Sequence, residues 1–139
     1  MPIMTRILPA LALALFLPFS FSAFADGIAI VQAPEQSFGI CAGKNAKAAF
    51  DCAKKACVKG GAAIGDCLEM TYCDHSWTVD VFMQSKEGNH WHEYRCGWKT
   101  RKEAEAAGKL ACNKDRMKEL MECSAVQYYD PAGKPQLEN

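Results

Sequence analysis

Several signatures of catalytic and metal-binding proteins are missing from this chain. It has no C-x-x-C pair, no G-x-S-x-G and no H-E-x-x-H, and only three histidines. The first absence weakens zinc and thioredoxin-like readings; the others remove two common routes to hydrolysis. A basic excess is missing too. Sixteen basic residues face sixteen acidic ones, so neither nucleic acid nor an anionic membrane surface is an expected partner. The one apolar run, ILPALALALFLPF, is short and broken by Pro9 and Pro18, whereas a spanning helix needs about twenty predominantly apolar residues.

That run sits between MPIMTR, which supplies Arg6, and AFA, which ends in small residues at the −3 and −1 positions. Residues 1–25 therefore read as a Sec-type signal peptide cleaved after Ala25. No cysteine follows closely, the first being Cys41, so no lipid anchor is indicated. The mature chain, Asp26–Asn139, is expected to be a soluble periplasmic or secreted protein with no membrane association after cleavage. Its length suits one domain with a modest core.

Cysteine is what the mature chain has in quantity. All eight lie after the leader, and an even, high count in an exported chain implies a disulfide framework rather than a metal site. Their spacing also exposes an internal duplication. Shifted by 55 residues, CAGKNAKAAFDCAKKAC (41–57) falls on CGWKTRKEAEAAGKLAC (96–112), with seven of seventeen positions identical and both bounding cysteines matched. One inserted residue later, Cys67 meets Cys123, Tyr72 meets Tyr128 and Asp74 meets Asp130. Two copies, about 27–74 and 78–130, account for a single duplicated domain over 26–130.

Each copy reads as ββαβ. GIAIV and TVDVFM are short β-branched or apolar runs, hence strands. SFGIC and HWHEYRC follow turn-like segments and return as second strands. Ala46, Ala49, Phe50, Ala53 and Ala56 recur at helical spacing with Asn45 as N-cap, while Thr100 and Glu103 form a capping box ahead of Ala104, Ala107, Gly108 and Ala111. Small residues on both stripes let the helices sit close to a sheet. Glu105 and Lys109 are expected as an outward i,i+4 pair. CLEMTYC and CSAVQYY supply the last strands, and NKDRMKELME holds a short helix. The expected class is α+β: two tandem ββαβ repeats related by a pseudo-twofold, with small antiparallel sheets, two packed helices and disulfide staples. Residues 131–139 read as a polar, mobile tail.

Spacing alone leaves roughly a hundred connectivities for eight cysteines, but the duplication narrows them. Cys52 and Cys73 lack counterparts in the second copy, where Ala107 and Tyr129 stand, so the two are expected to bond to each other. Cys57 with Cys67 and Cys112 with Cys123 suit a helix-end-to-strand bridge within each copy. Cys41 and Cys96 remain, and would meet near the symmetry axis.

AIA followed by a hairpin, an alanine-rich helix (AKAAFDCAKKAC, KEAEAAGKLAC), a loop and a strand opened by cysteine resembles the bacterial domain-of-unknown-function family 4189. The resemblance covers most of 26–130. It implies an exported bacterial protein of this fold, and carries no catalytic residues with it. This chain departs from the family's glycine- and tryptophan-rich hairpin in its first copy, where Gly43 stands opposite Trp98.

The stretch GNHWHEYRC (88–96) concentrates the candidate chemistry. On a strand, His90, His92, Tyr94 and Cys96 share one side while Trp91, Glu93 and Arg95 share the other. His90 and His92 are the candidate metal ligands, to which Asp74, His75 and Asp80 could contribute. The copy-one residues aligned with them are Glu35 and Ser37, so the fold does not demand imidazoles there. A hydrolase would draw on His75, His92 and Glu93, with Asp74 and the hydroxyls of Ser76, Thr78 or Ser85 nearby. In the DHSW turn such neighbours diverge more often than they converge. The favoured reading is a binding module without cofactor or catalysis that contacts a protein partner through Trp91, Trp98 and Tyr94. An inhibitor or immunity-type protein of the cell envelope is one form it would take.

Overall fold

The structure is a computed structural model, and it describes residues 27–136. The leader expected over 1–25 lies outside the described residues, as do the last three of the expected tail. The fold is α+β, with two small antiparallel sheets. Among the described residues no helix is long and apolar enough to cross a membrane.

In the first sheet, β1 (Gly27–Ala33) runs between β2 (Ser37–Gly43) and β3 (Leu68–Asp74), antiparallel to both. Both faces of β1 are covered, which explains why Ile28, Ala29, Ile30 and Val31 are all fully buried and why its run is apolar without alternation. One face carries Ala29 and Val31 against Ala49, Ala53 and Cys57 of α1 (Ala46–Lys59). The other turns Ile28, with Ile40 and Ala42 of β2 and Cys73 of β3, toward the second sheet.

The second sheet is built around β4 (Trp77–Ser85), flanked by β5 (His90–Trp98) and β6 (Leu120–Tyr129), with the two-residue β7 (Pro135–Gln136) on the far side of β6. Val79, Val81 and Met83 face α2 (Arg101–Ala111), packing on Ala104 and Ala111. On the opposite face Cys96 and Tyr129 meet the apolar face of the first sheet. The layers therefore run helix, sheet, sheet, helix. A one-turn helix, α3 (Lys114–Met117), precedes β6.

The helices begin where capping chemistry places them. Asn45 Oδ1 accepts the Ala48 N–H at 2.9 Å. Thr100 and Glu103 complete a capping box, with the Glu103 carboxylate taking the Thr100 N–H at 3.1 Å. Small residues do set the helix–sheet distance: a Cβ on Gly39 of β2 would overlap the Ala53 carbonyl, and one on Gly43 would lie 2.5 Å from the Ala49 nitrogen. On the outer face of α2 the ion pair is Arg101–Glu105, at 2.8 Å, rather than the expected Glu105–Lys109. Strand β6 starts at Leu120, not Cys123, because Leu120 is buried in the α2-side core. The expected mobile tail is folded back as far as Gln136. Asp130 Oδ1 accepts the Ala132 and Lys134 N–H groups in a turn, and β7 then pairs with Tyr128 and Tyr129.

Four disulfides staple these layers, and no cysteine is free. Cys57–Cys67 and Cys112–Cys123 tie each helix end to the following strand, with Cα atoms 6.2 and 5.5 Å apart. The expected Cys52–Cys73 and Cys41–Cys96 bridges do not form. Cys41 bonds Cys52, and Cys73 bonds Cys96. The faces of the sheet explain the correction. Cys52 lies on α1, on one side of the first sheet, while Cys73 belongs to the cluster on the other, so the sheet stands between them. Cys41 packs with the α1-side core. Its aligned partner Cys96 points into the intersheet cluster, because β5 holds an unmatched residue at Gly97 (Trp77 pairs Trp98, Thr78 pairs Cys96). Gly97 has φ +107°, a backbone conformation suited to glycine, and its N–H is held by the buried Ser76 hydroxyl at 3.0 Å. Each bridge closes a loop of 10 to 23 residues, which contributes roughly 3 kcal/mol by chain entropy.

Candidate binding site between the sheets

Strand pairing decides which of the GNHWHEYRC side chains meet. Across β4 and β5, Phe82 opposes His92, Asp80 opposes Tyr94, and Thr78 opposes Cys96. These residues share the face turned toward the first sheet, and Tyr129 of β6, paired with Thr78, joins them. Opposite stand Gln32, Gln36 and Phe38 from the β1–β2 hairpin. With Asp80, His92, Tyr94 and Tyr129 they line a cleft of 290 Å³.

Asp80 forms its floor and is only 6 % exposed. Its Oδ1 lies 2.7 Å from His92 Nδ1. Burial pushes the Asp80 carboxyl above the ordinary carboxylate range, and the hydrogen bond and charge of His92 pull it partway back. The His92 ring is held edge-on by Phe82 at 5.5 Å and lies parallel to Tyr94 at 6.1 Å. Burial also raises both tyrosines, with the Asp80 charge adding to it; Tyr129 is pushed up to about 12 and Tyr94 further. At neutral pH both are uncharged phenols.

A second hollow, of 410 Å³, adjoins the first and shares Gln32, Glu35 and His92 with it. Its walls are Leu68 and Met70 of β3 and His90 and Trp91 of β5, with Pro34 and Phe82 between. Both β3 and β5 are edge strands. Met70 is the unmatched residue of a bulge, since Ile30 pairs Thr71 and Val31 pairs Glu69. Leu68, Met70 and Trp91 are 53, 43 and 37 % exposed, so three large apolar side chains flank one groove. His90 Nε2 sits 3.3 Å from Glu35 Oε1, linking β5 to the β1–β2 turn, where Glu35 has φ +59°.

The sequence candidates are thus divided. Trp91 and Tyr94 line adjoining hollows. Trp98 does not join them: it packs against the core beneath α2, with its Nε1 buried and without a hydrogen-bond partner. The positive φ at Gly97 belongs to the bulge that turns it inward. His90 and His92 share a face, but each is engaged by a different carboxylate, Glu35 and Asp80. Among the described residues no three His, Cys, Asp or Glu side chains are grouped to hold a metal ion.

The His75/His92/Glu93 set does not assemble either. His75 lies in the β3–β4 turn beside Asp74, at 3.8 Å, beyond the Trp77 end of β4. His92 opposes Phe82, five residues along that strand, a rise of about 16 Å. Glu93 faces the other side of β5, where Arg95 at 2.9 Å and Arg116 of α3 bind it and Trp91 Nε1 approaches at 3.4 Å. Burial works to raise its carboxyl, but these three partners together hold it below the usual range. Ser76 is occupied with the Gly97 bulge. Asp80 was visible in the sequence only as an extra metal ligand; its place beside His92 follows from the β4–β5 register, which sequence reading did not fix. No protein-family model, curated protein or solved structure matches this chain.

Proposed function

We propose that this is an exported, disulfide-stapled interaction module that captures a protein partner in the groove between the β3 and β5 edges, and that it acts by binding rather than catalysis. The observation that carries this reading is the joint exposure of Leu68, Met70 and Trp91 around one groove. Exposed apolar clusters on small domains mark interaction surfaces. Tryptophan is the side chain most able to anchor such a contact, and edge strands offer unpaired backbone groups to an incoming chain. Four disulfides suit an oxidising compartment, which together with the leader-like N-terminus supports the periplasm or the exterior of a bacterial cell. An inhibitor or immunity-type protein of the envelope has these properties. We place the chain with family 4189 on the resemblance described above, as a duplicated ββαβ unit. The shared strand order in the two sheets, second–first–third with the helix between second and third, supports the duplication.

The test is retention of a partner from envelope extract by immobilised protein, with variants as the readout. Trp91→Ala and Leu68→Asp should abolish retention, while Leu110→Ala, at a remote and 71 % exposed position on α2, should leave it intact. Retention by the first two variants at wild-type levels would overturn the assignment.

A further inference from the structure

We propose that the intersheet cleft is a receptor for an alkylammonium group, the end of a lysine side chain presented by the partner whose apolar neighbour occupies the Trp91 groove. This deepens the docking assignment and rests on it for the identity of the macromolecule, though not for the chemistry of the cleft. Three observations lead here. The walls are aromatic, with Phe38, Tyr94, Tyr129 and His92 around one opening, and ring faces attract cations. The charged groups lining it are carboxylates, Asp80 on the floor and Glu35 at the rim; no lysine or arginine is among the described lining residues. The cleft is also continuous with the apolar groove through Gln32, Glu35 and His92, so one extended segment reaches both.

The floor selects the cation. Asp80 Oδ1 is taken up by His92, which leaves Oδ2 as the remaining oxygen of the carboxylate. A guanidinium gains most from a two-oxygen fork, whereas an ammonium is a compact point charge that one oxygen satisfies. The raised affinity of Asp80 for protons has the same origin: a carboxylate withdrawn from water gains from any cation brought to it.

The test titrates the intact mature protein with n-butylammonium and follows the side-chain NMR signals of His92, Tyr94 and Tyr129. Saturable shifts are expected, with n-butanol, the neutral isostere, producing none at equal concentration and n-butylguanidinium binding more weakly. Asp80→Asn should lower the ammonium affinity about tenfold, the value of a charge-assisted hydrogen bond. Phe38→Ala, at a 47 % exposed rim position where the fold is not at stake, should lower it about threefold. Absence of saturable shifts, equal shifts with butanol, or affinity unchanged in both variants would overturn the proposal. Trp91→Ala separates the two claims, since it should leave ammonium binding intact. Ammonium binding lost from the wild type with partner capture still dependent on Trp91 would defeat the cleft alone; the reverse pattern would defeat the groove alone.

Discussion

Asp80 and His92 stand on neighbouring strands with Oδ1 and Nδ1 2.7 Å apart, the carboxylate nearly closed off from water and the imidazole partly open to the cleft. A carboxylate in that position costs stability to keep ionised. Its pKa is raised in the folded state, so the folded protein takes up a proton more readily than the unfolded chain. The stabilisation from that proton is fully present below the unfolded value of 3.8. It is lost as pH rises through the folded value. At neutral pH it is gone.

Asp80→Asn, which keeps an oxygen for the His92 N–H, should therefore raise thermal stability at neutral pH, read as a higher melting temperature than the wild type. The advantage should shrink to nothing on acidification through the carboxylate range. Melting temperatures of the two proteins across that range check it. A variant less stable at neutral pH would show that the charge supports the fold.

The approach of β2 to α1 predicts a sharp contrast between two glycines. Gly39→Ala must displace the Ala53 carbonyl and should cost about 1–3 kcal/mol, the range of overpacked cores. Gly65→Ala meets nothing within 4 Å and should change stability by no more than about 0.5 kcal/mol. Chemical denaturation of both variants decides it.

Peptide mapping without reduction should recover Cys41 with Cys52 and Cys73 with Cys96, and thiol titration of the unfolded, unreduced protein should find no free thiol. Replacing Cys73 and Cys96 together by Ser should loosen the contact between the sheets around Ile28 and Tyr129, read as faster amide exchange at these residues than in α1. A Cys52–Cys73 peptide would contradict the layer order itself.

What the sequence made legible was local. Helix starts at Asn45 and Thr100, the alanine stripes, and the two bridges that join a helix end to the next strand all depend on residues near one another in the chain. The other two bridges depend on which face of a strand a cysteine occupies. Aligning Cys41 with Cys96 treats them as equivalent, yet the bulge at Gly97 lets Trp98 turn toward α2 while Cys96 faces the other sheet. Alternation is only as good as its register. The same limit hid the site. Period-two reading put His90, His92 and Tyr94 on one face of β5 and Trp91 on the other, but it could not bring Asp80 beside His92 or set Leu68 and Met70 of β3 across from Trp91. The first contact comes from the register of β4 on β5, and the second from bringing the edges of two sheets together, with the residues involved far apart in the chain.

In the proposed mode of binding the groove between the β3 and β5 edges, and not another apolar surface, receives the partner. Val58 on α1 supplies the comparison: it is 40 % exposed and borders its own hollow with Ile64 and Lys55. A photo-crosslinking amino acid placed at Leu68 or at Val58 of the full chain, expressed in cells, measures the difference. Crosslinking of a discrete partner from position 68, lost when Trp91→Ala is added, and none from position 58, is the predicted result. Crosslinking from position 58 that is indifferent to Trp91, with none from 68, would move the docking surface from this groove to α1.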